Sequence, residues 1–474
     1  MAKIKNFFQG MSTKQVIALI ILAAADVFVI AAPYYLKNII PNLHQHLGIR
    51  EDQVAVLTSI IGWVTLATQL PGGFLANKFS SRWLLFYAVL STGFITFWFG
   101  ATILQSPNLS PDSLMLQYGF IFALWGVSST LIFWTPLWKL VSQQTTKENQ
   151  GFAYGFQGTA NGVLGFVLVF GIGLIVTNVW SPLVENTTSS SLPFSVYAFL
   201  LAGFLVATSF LVLFMVPEKP LEKSKEKLSW SLIGRNIKQV GRSLKSWKLW
   251  MLSIFLMGMY TFQSVFAFYL LQMITNAFLA PLVLATVVGG IRTYAMRTAV
   301  SAFVGKFADK FKSYILLLLI TTGIGIVLIG ILILLPLVNG NQIQQSIPLV
   351  VISTIIFLLA GFLSWVMVTL RYAQVGEIEI EKNSYASSIG VLSFIGFSTD
   401  AWLYNITGAI GESFTDKVSG DTTTSMLGYQ LILVVTLSIA LLGVICGLIV
   451  HIANTRELKR LGKTDYRWRA LDNA

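Results

Sequence analysis

The sequence predicts an all-α membrane protein of twelve transmembrane helices in two pseudo-symmetric six-helix bundles. Three observations carry that expectation. Of 474 residues, 55% are apolar and only 11% are charged, whereas roughly a quarter are charged in an ordinary soluble domain. Apolar stretches of about 20 residues, enough to cross a hydrocarbon layer of roughly 30 Å, recur along the whole chain. A weak internal repeat relates the two halves. The mean hydropathy of +0.72 leaves a set of water-soluble domains with too few charges to cover its surface.

In order, the stretches run 15–36, 53–76, 83–104, 114–138, 151–178, 194–216, 249–275, 280–304, 314–338, 347–370, 386–410 and 428–452. With twelve spans both ends share a side. The segments on that side hold 27 of the 32 Lys and Arg, the opposite loops hold Lys37, Arg50 and Lys417, and the last two, Arg292 and Arg297, fall inside the eighth span. The positive-inside rule then makes both termini cytoplasmic in a bacterial cytoplasmic membrane. It also assigns the net charge of +12 to loops beside membrane lipids, with no nucleic-acid partner. The first span is long, lacks a cleavage site and carries Asp26 at its centre, so it reads as a helix and not as a signal peptide.

The connection from Pro217 to Lys248 holds nine Lys or Arg and three Glu. We read 217–248 as a basic cytoplasmic linker along the anionic leaflet, or a docking site for a soluble partner. It divides the chain into an N-terminal bundle, 1–216, and a C-terminal bundle, 249–453, followed by a tail, 454–474. Laying Ala76 on Ala308, an offset of 232 residues, also lays Gly73 on Gly305, Lys139 on Arg371 and Gly158 on Gly390. Parallel repeats of this kind place a substrate site near the midplane between the halves.

The run Gly73-Phe-Leu-Ala-Asn77-Lys78-Phe-Ser-Ser-Arg82 resembles the G-x-x-x-D-R-x-G-R-R loop of the major facilitator superfamily. The run Gly305-Lys-Phe-Ala-Asp309-Lys310-Phe-Lys-Ser resembles its second copy. Asn77 stands where the pattern has an acidic residue. The segments Ile291 to Arg297 and Gly390 to Asp400 are further similar to the bacterial sugar-phosphate-permease-like branch of organic-anion carriers. The resemblance implies a gating role for Gly73, Asn77, Lys78, Arg82, Gly305, Asp309 and Lys310. Carboxylates facing helix N-termini, with cations near C-termini, would hold one closed arrangement. Asp309 has the charge for this, and Asn77 offers only neutral hydrogen bonds. Setting topology by charge is the alternative role of the lysines.

Charges within spans are expensive and therefore informative. Four are expected: Asp26, Arg292, Arg297 and Asp400. They can neutralise one another as structural ion pairs. Alternatively, at least one arginine faces a water-filled cavity and receives an anion, which its planar fork holds through paired hydrogen bonds. In a regular helix Arg292 and Arg297 point about 140° apart. Gly289 and Gly290 free space beside Arg292, while Thr293 and Ser301 flank Arg297, so Arg292 is assigned to substrate and Arg297 to an interhelical pair or a second contact. Gln157 and Asn161 share a face with Tyr154 in the fifth span, and Tyr260 and Gln263 share one in the seventh. They are expected to complete the cavity or to serve helix–helix hydrogen bonding. Asp26 and Asp400 are the carboxylates available for proton coupling.

His44 and His46 have no third ligand in view, so no metal is expected. Cys446 reads as a packing or lipid-facing residue, and most of Trp63, Trp125, Trp134, Trp365 and Trp402 as packing or interface residues. Nothing resembles a nucleotide-binding loop, no nucleophile has a base beside it, and no cofactor is expected. The sequence therefore predicts a non-enzymatic, monomeric secondary transporter for a small organic anion, a sugar phosphate or carboxylate, with a proton as candidate coupling partner. A drug or lipid exporter of the same fold and a non-transporting receptor are the alternatives.

Overall fold

A computed structural model describes residues 11–145, 150–184, 191–219, 241, 244–308, 310–340, 343, 346–379, 385–418 and 421–466. Helices occupy all twelve apolar stretches. Among the described residues, nine helical runs are long and apolar enough to cross a membrane: Thr13–Ile39, Ser81–Asn108, Pro111–Gln143, Ala153–Leu183, Leu192–Met215, Trp247–Ala277, Tyr314–Val338, Ile347–Leu370 and Met426–Leu461. The second stretch is the helix Glu51–Lys78, the eighth holds Leu282–Gly290 and Met296–Ala308, and the eleventh holds Tyr385–Gly396 and Thr399–Ser413. Helix is the form expected, since only internal hydrogen bonding satisfies the backbone in hydrocarbon.

Several spans are not regular helices. The first passes through a π-helical segment at Ala31–Tyr35, the fifth through two, at Gly165–Gly171 and Val176–Trp180, and the eighth through one at Ile291–Ala295. The seventh breaks at 261–264 between Trp247–Tyr260 and Val265–Gln272, then turns π-helical at Met273–Ala277. The eleventh breaks between Gly396 and Thr399. Hydropathy fixes where a chain crosses, but it does not report the hydrogen-bond register. A hairpin of β1 (Thr415–Val418) and β2 (Asp421–Thr424) follows the eleventh span, with Thr415 opposite Thr424. Hydropathy carries no sign of it.

Two compact units divide the chain. One comprises Met1–Glu222, Ala280–Ala299 and Tyr404–Thr424, and the other Lys223–Leu279, Val300–Leu403 and Ser425–Ala474. In the first, the parts of spans eight and eleven remote from the termini pack with the first six spans. The backbone N–H of Thr424 donates to Glu51 Oε2 at 3.0 Å, and Arg50 Nη2 donates to Glu412 Oε1 at 2.9 Å. Trp125 is fully buried and donates from Nε1 to Thr96 Oγ1 at 3.2 Å, a packing role. In the second unit Cys446 is buried, and Lys248 Nζ reaches Asn454 Oδ1 and Glu457 Oε2 at 2.8 and 3.0 Å.

Each unit also docks a carboxylate on the N-terminus of a helix. Glu218 accepts from Ser80 Oγ and, at 2.7 Å, from the Ser81 N–H, at the start of Ser81–Gln105. Glu377 accepts from Ser313 Oγ at 2.8 Å and from the N–H groups of Tyr314 and Ile315, at the start of Tyr314–Leu334. Free N–H groups and the positive end of the dipole make these points natural carboxylate seats. The acids that fill them lie on neighbouring connections outside the Asn77 and Asp309 loops. Asp309, and Gly73, Asn77, Lys78 and Gly305 beyond their backbone, lie outside the described residues. Lys310 is exposed, and half-buried Arg82 has an Nε without a hydrogen bond among the described residues.

Glu377 is 2% exposed and serves three donors. Replacing Glu377 with Gln is expected to lower unfolding stability by about 1.5–3 kcal/mol, the range for hydrogen bonds to a charged group. Glu218→Gln should cost less, because Glu218 is half-buried and serves two donors. Thermal unfolding of the purified variants measures the order.

Candidate functional site

The first unit gathers a polar cluster around a buried carboxylate. Asp26, in the helix Thr13–Ile30, is 0% exposed. Its Oδ2 accepts from Gln157 Nε2 at 3.0 Å and from Arg297 Nη2 at 3.3 Å, while Oδ1 has no hydrogen-bond partner among the described residues. Asn161, one helical turn beyond Gln157 and also 0% exposed, has no partner on either side-chain atom. The cluster joins spans one, five and eight through one carboxylate. Tyr154, the third residue of the supposed shared face, is instead 38% exposed and stands beside the Trp138 ring at 5.8 Å.

The π-helical segment alters the relation between the two arginines. Met296 N–H bonds to Ile291 O, five residues back, and such a turn draws residues five apart toward the same side. The separation of about 140° expected of a regular helix therefore does not hold for Arg292 and Arg297. Arg292 is 2% exposed, within electrostatic reach of Tyr35 and Tyr404. Tyr294, between the arginines, is fully buried and lies within reach of Tyr35, Arg297 and Asp26. Its ring meets Tyr35 edge-on at 6.0 Å, and its hydroxyl has no hydrogen-bond partner.

Two glycines set this geometry. A Cβ on Gly165 would stand 2.2 Å from the Tyr294 ring, and one on Gly290 would stand 2.2 Å from the Phe170 ring. The room beside Gly290 is therefore filled by Phe170, not kept for a ligand. Thr293 does not satisfy Arg297 either, since its buried hydroxyl has no partner, and the side chain of Ser301 lies outside the described residues. Tyr35, Tyr294 and Tyr404 were not singled out from the sequence. The available signal was Tyr294 between two intramembrane arginines.

The second unit holds a different carboxylate site. Tyr260 closes the helix Trp247–Tyr260, and its hydroxyl donates to Asp400 Oδ2 at 2.6 Å. Asp400 lies in the first turn of Thr399–Ser413, where the helix dipole favours negative charge. Two helix breaks thus meet through one hydrogen bond, as in the broken helices that line carrier sites. The break removes the shared helical face expected of Tyr260 and Gln263. Gln263 falls in the turn, and its Oε1 accepts from Ser364 Oγ at 3.0 Å.

A cavity of about 370 Å³ in the first unit is lined by Asn42, Gln45, His46, Asn178, Ser181 and Thr286 among others, and shares no residue with the Asp26 cluster. His46 stacks on Phe194 at 4.7 Å, and desolvation together with the neighbouring His44 pushes it down to about 4. It is neutral at physiological pH. Among the described residues no three His, Cys, Asp or Glu side chains converge as a metal site.

Removing one partner of a buried ion pair leaves an uncompensated charge, which typically costs 3–5 kcal/mol. Asp26→Asn and Arg297→Gln are each expected to destabilise the protein on that scale. The double variant should recover a large part of the loss. A double-mutant cycle on thermal stability checks this, and additive losses would show that the pair contributes no coupling.

The sequence profile of the Major Facilitator Superfamily matches residues 16–399. An uncharacterized protein of Mycoplasma pneumoniae is 58% identical over 472 residues, 99% of each chain. The inner membrane protein YihN of Escherichia coli is 22% identical over 371 residues, 78% of this chain and 81% of that one. Among solved structures, a bacterial homolog of the human lysosomal transporter Spinster superposes with a TM-score of 0.66 at 11% identity, covering 93% of this chain and 98% of its own. The nucleoside transporter NupG gives 0.59 at 12% identity, covering 92% and 99%. At such identities the likeness to these structures establishes the fold alone. With the profile spanning most of its length, this multi-pass membrane chain belongs to the Major Facilitator Superfamily and has a transporter fold.

Proposed function

We propose that the chain is a secondary active transporter that moves a small organic anion, a sugar phosphate or a carboxylate, across a bacterial cytoplasmic membrane by alternating access. The observation that carries this reading is Arg292, a guanidinium almost wholly buried at a π-helical turn beside two tyrosines. A permanent cation in a span is costly unless it is used, and the guanidinium fork matches phosphate and carboxylate. Gln157, Asn161, Tyr260 and Gln263 supply neutral contacts, and Arg297 is the second cation. The moving bodies are the repeat-related halves 1–216 and 249–453, joined by the linker 217–248, with 454–474 as a tail.

Coupling follows from the pairing of Asp26. A substrate anion that draws Arg297 away leaves a buried carboxylate without its cation, and a proton is then the candidate to take the cation's place. Asp400, which accepts from the Tyr260 hydroxyl, is the second candidate carboxylate. The two fluxes are linked without direct contact between substrate and proton.

Orientation is tested with single cysteines in a Cys446→Ala background. Ser110→Cys should react with an impermeant thiol reagent in whole cells, and Ser224→Cys should not; the reverse pattern inverts the topology.

Function is tested by uptake into proteoliposomes of glycerol phosphate, glucose 6-phosphate and lactate under an imposed pH gradient. Saturable accumulation is expected, with apparent affinity lowered at least about tenfold in Arg292→Gln, the loss of one charge-assisted hydrogen bond, and less in Arg292→Lys. Accumulation driven by the gradient should be lost in Asp26→Asn or Asp400→Asn. Competition by amphipathic cations instead of anions would favour an exporter, and saturable binding without flux a receptor.

A further inference from the structure

The repeat lays Arg371 on Lys139, yet the two cations do different things. Lys139 Nζ donates to the Ala76 carbonyl at 3.2 Å, in the last turn of Glu51–Lys78. It neutralises a helix C-terminus, an ordinary structural use of lysine. By the same offset Arg371 would cap Ala308. Instead its guanidinium carbon lies 5.0 Å from the centre of the Tyr372 ring and 5.4 Å from that of Phe397. Among the described residues its buried Nε has no hydrogen-bond partner and no carboxylate pairs with it.

A guanidinium held by ring faces is fixed in place without losing its charge, because a ring quadrupole stabilises a cation but does not neutralise it. Its donor fork then remains available to an anion. The rings continue the arrangement inward. Tyr372 Oη is hydrogen-bonded to Ser393 Oγ at 2.9 Å, and Phe397 packs edge-on against Tyr260 at 4.7 Å, the residue that donates to Asp400. Arg371 immediately follows Ile347–Leu370, at the end of the tenth span that faces the side of the termini.

We propose that Arg371 is an anion station on the substrate's path at the termini side of the second unit, binding the phosphate or carboxylate group in a cradle formed with Tyr372 and Phe397. This rests on the organic-anion reading above. The same chemistry would recognise the phosphate of an anionic lipid headgroup, so the experiment separates the two sources.

The full-length chain in phosphatidylcholine nanodiscs is titrated with inorganic phosphate and, in parallel, with succinate. Arg371→Gln should weaken binding of at least one of them about fivefold or more, and Arg371→Lys should restore less than half of that, since it keeps the charge but loses the planar fork. The thermal midpoint without ligand identifies any variant that fails to fold, and Phe397→Leu, which retains Arg371, should weaken the same anion. The ratio of parent to Arg371→Gln affinity should be the same in discs containing phosphatidylglycerol. If that ratio falls to one there, a lipid headgroup occupies Arg371 and the substrate station is refuted. Unchanged affinity in Arg371→Gln, with loss in Arg292→Gln, overturns this proposal and leaves the organic-anion reading standing. No binding of either anion by the parent chain overturns both.

Discussion

Hydrocarbon offers no water to a buried charge or an open backbone group, so such groups in the spans are either partnered within the protein or kept for a function. The interior follows from that constraint. Asp26 takes both Gln157 and Arg297 on one oxygen, and so ties together three spans remote in sequence. Irregular backbone falls beside the polar groups. The π-helical segment of the eighth span carries Arg292 and leads into Arg297, and the breaks in the seventh and eleventh spans meet through Tyr260 and Asp400. A π turn keeps its backbone bonds while re-aiming side chains, which is how a helix in lipid changes direction without exposing a carbonyl.

The positions of the spans were legible because crossing a membrane is a matter of length and apolarity. The tenth stretch, expected at 347–370, is the helix Ile347–Leu370. Register was not legible. Reading the eighth span as a regular helix set Arg292 and Arg297 on different faces, and a single i→i+5 turn undoes that inference. Partners far apart in sequence were equally hidden. Glu218 lies 137 residues from Ser81, whose N–H it accepts, and Glu377 lies 63 residues from the Tyr314 N–H and 64 from the Ser313 hydroxyl, and hydropathy carries no trace of such pairings. The hairpin after the eleventh span escaped for a related reason. Its Thr-rich strands read as a polar loop, and its anchor is Glu51, at the other end of the chain's first half.

The internal repeat explains which features recur and which do not. A carboxylate on a helix N-terminus appears in both units because every helix start has free N–H groups to satisfy. Lys139 and Arg371 share a repeat position but not an environment: one caps a carbonyl, the other stands between two rings.

The two intramembrane carboxylates show the same divergence in their partners. Asp26 is held by a cation and an amide, so an anion that competes for Arg297 changes what holds it. Asp400 accepts from a phenol and sits at a helix N-terminus, where a neutral donor and a helix dipole act on it. In the proposed cycle these are different tasks. Asp26 is suited to sense an anion, since only an anion competes for Arg297, and Asp400 is suited to respond to the bending of the breaks that carry it. A substrate acting on the first and a helix movement acting on the second would each have its own two-state contact, with no need for one carboxylate to do both.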